Sequence, residues 1–160
     1  MDKQLLINKT LTFFTDIGIR YQQTSIPEQT FLPGILIDRG ILLIDKDRLL
    51  HPGDLLHEAG HIAITPQNSR PNLSGDVHKC GHRGGEEMAA IAWSWMALKK
   101  MKLDPEVLFH SDGYKGASKS YIEAFTSGPP FGFPLLGYFD MCDYSDPQRQ
   151  PLSMSRWLRT

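Results

Sequence analysis

Apolar residues in the first part of the chain, Leu5, Leu6, Ile7, Leu11, Phe13, Phe14 and Ile17, recur at roughly helical spacing. Gly18 is placed to end the element, so the pattern predicts an amphipathic helix over residues 3–17. Ser25, Pro27 and Pro33 punctuate the stretch Thr24 to Pro33, which reads as a loop or a poorly ordered connection. The period then shortens. Gly34 to Asp38 and Ile41 to Asp45 are short apolar runs rich in β-branched residues, and Arg39-Gly40 between them completes the signature of a β-hairpin.

Asp54, after His51-Pro52-Gly53, is suited to N-cap a helix over Leu55 to about Ile64, which Pro66 closes. Residues 66–85 are polar and hold two prolines and four glycines. They predict a long loop, of the kind that is usually functional inside a compact domain. Glu86 to about Met101 is almost wholly apolar, with acidic residues at its start and lysines at its end as the helix dipole favours. A helix apolar around most of its circumference belongs at the centre of the core. A helical turn at Pro105 to Phe109, a loop through Gly113 and Gly116, and helices at Ser118 to Phe125 and Leu135 to Met141 follow. From Asp143 the chain is polar, with Pro147 and Pro151, and is expected to be loosely attached. The elements describe one α+β domain over residues 1–160, with its core at about 34–128 and a tail at 143–160.

Composition narrows the function classes. With 17 basic and 18 acidic side chains the net charge is -1, which offers no field for nucleic acid or an anionic membrane surface. No apolar run reaches the ~18 residues of a membrane span, and the N-terminus lacks the features of a signal peptide, so a cytoplasmic location is expected. Cys80 and Cys142 are too few for a disulfide scaffold and are expected to be free thiols without a catalytic role.

The chemistry concentrates at His57-Glu58-Ala59-Gly60-His61. This is an H-E-x-x-H pattern whose two histidines, four apart, share one helix face about 5–6 Å apart and can reach a single ion. Neutral imidazole suits zinc, and a catalytic site has three protein ligands with water in the fourth position. Glu58 projects beside such a metal, where it can act as general base. Ala59 and Gly60 allow a second element to approach closely. Either Glu86 or Glu87, opening the buried helix, is the candidate third ligand; successive helical residues point ~100° apart, so only one can serve. His78-Lys79-Cys80-Gly81-His82 could instead complete a structural zinc site, or be a polar loop near the catalytic one. His110 and Tyr114 are candidates for stabilising an oxyanion. Alternatively His110 caps the preceding helix and Tyr114 packs.

Leu55 to His61, followed after a loop by Glu87 in an alanine-rich helix, resembles the gluzincin metallopeptidases, specifically their small ImmA/IrrE-type members. The resemblance covers about residues 34–100. It implies a minigluzincin-like domain in which a hairpin or small sheet precedes the metal helix. It also implies zinc held by His57, His61 and the later glutamate, which it matches best to Glu87, with Glu58 as base. The expected activity is hydrolysis of a peptide or protein substrate, with the substrate paired along the edge of the Ile41 to Ile44 strand. The alternative is a non-catalytic zinc-binding or partner-binding protein that keeps the site for stability.

Overall fold

The computed structural model describes residues 1–127, 131–144 and 153–160. Its architecture is mixed α+β: helices packed around a small three-stranded sheet. Helix α1 (Lys3–Ile17) opens on Asp2, whose carboxylate accepts from the Gln4 and Leu5 amides, and ends at Gly18 in the left-handed conformation. Strands β1 (Tyr21–Gln23), β2 (Ile35–Asp38) and β3 (Ile41–Ile44) form the sheet in the order β1-β3-β2. The expected hairpin is β2 and β3, paired antiparallel with Ile35 opposite Ile44. Its two-residue turn places both Arg39 and Gly40 at positive φ, as the tightest hairpin turns require.

β1 lies inside the stretch just before the expected loop and was not visible as a strand. Only three residues long, with a polar Gln22-Gln23 pair, it carries no alternation strong enough to announce itself. Its presence corrects one expectation. β3 is hydrogen-bonded to β1 on one side and β2 on the other, so the Ile41–Ile44 strand has no free edge for a substrate. The outer side of β2 is itself partly covered, because Gly75 donates to the Ile37 carbonyl and Gly40 to that of Leu73, both at 2.9 Å.

Helix α2 (Asp54–Ile64) packs along α3 (Gly84–Lys100), and this pair forms the middle of the core. Their approach is close enough that a Cβ on Gly60 would stand 2.6 Å from the Ala90 carbonyl oxygen, well inside contact distance. Leu55, Leu56, Ala59 and Ala63 of α2 and Ala89, Ala90, Ala92, Trp93, Ala97 and Leu98 of α3 are completely buried. As expected for its composition, α3 is central, with α4 (Pro105–Leu108) and α6 (Phe133–Tyr138) also packed on it. Helix α5 (Ser118–Ser127) adds Phe125 to an aromatic cluster with Trp95 and Phe109.

Asp54 does not N-cap α2 as expected. The helix is entered through a tight turn from His51, so the amides of Asp54, Leu55 and Leu56 donate to the carbonyls of His51, Pro52 and Gly53. With those amides already satisfied, the Asp54 carboxylate is released for another partner. Gly53 permits the turn, since a Cβ there would lie 1.7 Å from the Val107 carbonyl oxygen.

The loosely attached tail is likewise corrected for residues 153–160; residues 145–152 fall outside the described chain. Trp157 packs edge-on against Phe13 and Trp93 at 5.1 and 5.7 Å between ring centres, and its carbonyl accepts from Trp93 Nε1 at 2.9 Å. Arg159 then closes the buried end of α2. Of the last four carbonyls of that helix, His61 accepts from Thr65 Oγ1, Ile62 from Arg70 Nε, Ala63 from the Arg159 amide and Ile64 from the Arg159 guanidinium. Arg70 also donates to the Arg159 carbonyl. The sequence misled because an isolated tryptophan and arginine in a polar stretch carry no periodicity. The core accordingly runs from Leu6 in α1 to the Trp157 side chain and is not confined to residues 34–128.

Two consequences for stability follow from this packing. Gly60→Ala forces α2 and α3 apart and should cost ~1–3 kcal/mol in urea unfolding of the metal-free chain; an unchanged midpoint would contradict the close approach. Trp157→Ala should cost about 2 kcal/mol in the same measurement, whereas a truly unattached tail would show no change.

Candidate metal centre

Helix α2 runs its polar stripe, His57, Glu58 and His61, towards the start of α3. His61 is 1% exposed and His57 14% as side chains, so both imidazoles are held within the protein rather than displayed on it. Glu87 comes from the first turn of α3 and lies between them: its Oε1 is 2.9 Å from His57 Nε2 and its Oε2 3.1 Å from His61 Nε2. One ligand atom from each of the three falls within 4.8 Å of the others. Among the described residues this is the only group of three or more such side chains with that spacing.

Glu86, the other candidate, turns the opposite way. Its Oε2 accepts from the Arg83 amide at 2.9 Å, the reciprocal arrangement that closes a helix N-terminus. The structure therefore brings Glu87, and not Glu86, to the two histidines.

Electrostatics separate the two carboxylates near the histidines. Burial opposes ionisation of Glu87, but the two facing imidazoles outweigh it and hold the carboxyl well below the usual range. Among the described residues Glu58 has no such partner. Burial raises its pKa, and His57, with a smaller contribution from His78, pulls against that rise without overcoming it. Burial holds His61 far below the ordinary imidazole value, at about 4, leaving it neutral with a lone pair to offer at physiological pH. At His57 burial acts in the same direction, yet Glu87 and the nearby carboxylates overcome it and the pKa rises.

The remaining candidates surround this group. His110 Nε2 lies 2.7 Å from Asp54 Oδ1, while its Nδ1 is buried without a partner. The ring stacks on His51 at 3.7 Å, and His51 Nε2 in turn meets Asp112 Oδ2 at 3.1 Å. The Nε2 of His110 is thus spent on the first residue of the metal helix. Tyr114 stands edge-on to the His57 ring, 6.0 Å between centres, and packs on Phe109 and Tyr121. Burial pushes its phenol far above the ordinary value, so it remains a protonated donor. Tyr114 and Lys115 both have positive φ, at 56° and 53°, a conformation that costs non-glycine residues roughly 1–2 kcal/mol each.

Within the sequence His78 to His82, Cys80 is exposed and its thiol donates to the Ser74 carbonyl, and His78 Nδ1 lies 3.1 Å from the His82 carbonyl. Neither joins a second such group among the described residues. His82 is different, being buried with its Nδ1 2.9 Å from His61 Nδ1. The long loop is more ordered than expected, with 3-10 turns at Gln67–Asn72 and Val77–Cys80 and with Leu73 and Val77 in the core. Nothing in the sequence tells that His82 points inward; the only signal was the density of histidines in a short loop.

No protein-family model matches the chain, and comparison with curated proteins and with solved structures gives no significant match. The reading of this centre therefore rests on its own chemistry. Two imidazoles and one carboxylate form a group that could hold a metal ion, and such a donor set suits zinc. Elemental analysis checks this directly. Zinc at about one per chain is expected in the native protein and in Glu86→Gln, and should be lost in His61→Ala and Glu87→Ala. Loss in Glu86→Gln with retention in Glu87→Ala would reverse the assignment of the third ligand.

Proposed function

We propose that the chain is a zinc-dependent metallopeptidase of the gluzincin type, built on a minigluzincin-like core akin to the small ImmA/IrrE-type enzymes. One observation carries the reading: the H-E-x-x-H histidines and Glu87 converge on one point, and Glu58, buried and electrostatically coupled to His57, has no hydrogen-bond partner for its carboxylate among the described residues. The peptide as substrate class comes from the likeness of Leu55 to His61 and Glu87 to that family.

His57, His61 and Glu87 would hold the metal, which when bound supplies Lewis acidity and lowers the pKa of a coordinated water. The protein's own groups do the rest. Glu58 accepts the proton of the attacking water, and burial suits it to the task because a carboxylate with raised pKa is a stronger base and later a competent acid towards the leaving amine. Glu87, held ionised, contributes negative charge to the ligand set and takes no proton. Tyr114 is the better placed of the two oxyanion candidates: its hydroxyl is a protonated donor on the residue packed against His57, held by a strained backbone of the sort found at functional sites. His110 acts through Asp54, fixing the entry to the metal helix.

The test is Glu58→Gln against the native protein, with zinc content and cleavage of an unstructured protein such as casein measured on the same samples. The expected outcome is unchanged zinc with turnover reduced at least ~100-fold, the usual range for removing a general base. Zinc in both with no cleavage by either would favour a non-catalytic metal site. Equal cleavage by both would remove Glu58 from the mechanism.

A further inference from the structure

His61 has a second hydrogen-bonding nitrogen, and the groups behind it leave little freedom in where the protons lie. Thr65 Oγ1 sits 2.7 Å from the His61 carbonyl oxygen, and a carbonyl only accepts, so the single hydroxyl proton is committed there. The same oxygen lies 2.9 Å from His82 Nε2 and must accept in that contact, which puts a proton on His82 Nε2. All three residues are buried, His61 to 1% exposed, Thr65 to 5% and His82 to 7%. Two ring nitrogens 2.9 Å apart need one donor and one acceptor, and an imidazole that carries its proton on Nε2 accepts at Nδ1 through the lone pair there. That lone pair faces His61 Nδ1 at 2.9 Å, and the proton between them belongs to His61.

We propose that His82, itself set by Thr65, is a positioning residue that locks His61 as the Nδ1-protonated tautomer and so aims its Nε2 lone pair at the metal. The inference rests on the zinc-site reading above and deepens it. In that tautomer Glu87 draws its hydrogen bond from His57 alone, and the His61 Nε2 lone pair faces Glu87 Oε2 across 3.1 Å, acceptor against acceptor, a contact that a cation between them relieves. The chain Thr65–His82–His61 therefore prepares the site for a cation through hydrogen bonds alone. His57 has no counterpart among the described residues: its Nδ1 is buried with no hydrogen-bond partner. The two imidazoles differ accordingly, His61 being fixed in tautomer and ring orientation, and His57 being held through its Nε2 and the packing of Tyr114 and the His61 ring.

The role also accounts for the loop that supplies His82. The turn Val77–Cys80 ends at Gly81 in the left-handed conformation, and the His82 amide donates back to the Val77 carbonyl at 3.1 Å, which swings the next side chain inward. An imidazole that only filled space here would need neither of its nitrogens in register with Thr65 and His61.

The experiment is zinc affinity by chelator competition on the full chain, for the native protein and for His82→Phe, His82→Asn and Thr65→Val. It is joined by ¹⁵N spectra of the histidine rings with and without zinc. His82→Phe keeps an aromatic ring but loses the acceptor and should weaken zinc about 10- to 100-fold, as loss of a partner behind a metal ligand does. His82→Asn offers an amide oxygen where Nδ1 stood and should restore most of that loss, whereas a space-filling role predicts that Phe is tolerated better than Asn. Thr65→Val should weaken zinc less than His82→Phe. The spectra should show His82 protonated on Nε2 alone, with a ¹⁵N–¹⁵N coupling across the bond from His61 Nδ1 to His82 Nδ1. His82 protonated on Nδ1, or His82→Phe binding zinc as tightly as the native chain, overturns the proposal. A native chain that takes up no zinc removes the metallopeptidase reading instead, and the metal-free spectrum still decides the tautomer.

Discussion

The close crossing of α2 and α3 is the constraint on which the rest of the structure depends. Gly60 lets the α2 backbone meet the Ala90 carbonyl, and Gly60 lies between His57 and His61 while Ala90 lies one turn beyond Glu87. Contact at that point sets the register of one helix against the other and carries Glu87 into the space between the two imidazoles. A bulkier residue at either position would separate His57 and His61 from Glu87, side chains that now meet at hydrogen-bond distance. The alanines along both helices serve the same end, since small side chains let the axes approach while still burying apolar surface.

Packing so tight at the end of α2 creates a second problem, which the remainder of the chain solves. Four helix-terminal carbonyls are buried there, and leaving any one unpaired would cost roughly 1–3 kcal/mol. Thr65, Arg70 and Arg159 satisfy them all, drawing on the residue after the helix, the loop that follows and the C-terminal segment. The loop and tail are thus tied to α2 by hydrogen bonds it cannot supply for itself. Thr65 has a second employment through His82, so one hydroxyl joins the closing of the helix to the surroundings of His61.

The two glutamates show how environment assigns roles to like groups. Glu58 and Glu87 both act on His57, yet burial raises the pKa of the first while the imidazoles lower that of the second. Neither difference depends on residue type. It arises because α3 presents Glu87 to both Nε2 atoms at hydrogen-bond distance, whereas Glu58, one residue on from His57, is turned aside by the helical step.

By itself the sequence determined most of the local elements and pointed to the residues of the candidate site. Residues 3–17, the hairpin across Arg39-Gly40, the helix carrying His57 and His61 and the buried helix were legible because each carries a strong period of its own and clear stop signals. That His57 and His61 share a helix face was legible because their spacing matches one turn of helix. Tertiary structure alone decided between Glu86 and Glu87, since both open the same helix and only the angle at which α3 meets α2 distinguishes them. It also decided that β3 is an interior strand, that Asp54 serves His110 rather than its own helix, that Trp157 packs on the core while Arg159 closes the end of α2, and that His82 stands behind His61. The physical reason is common to all five. Each depends on a partner far away in the chain, and periodicity and capping signals report only what a residue does with neighbours a few positions away.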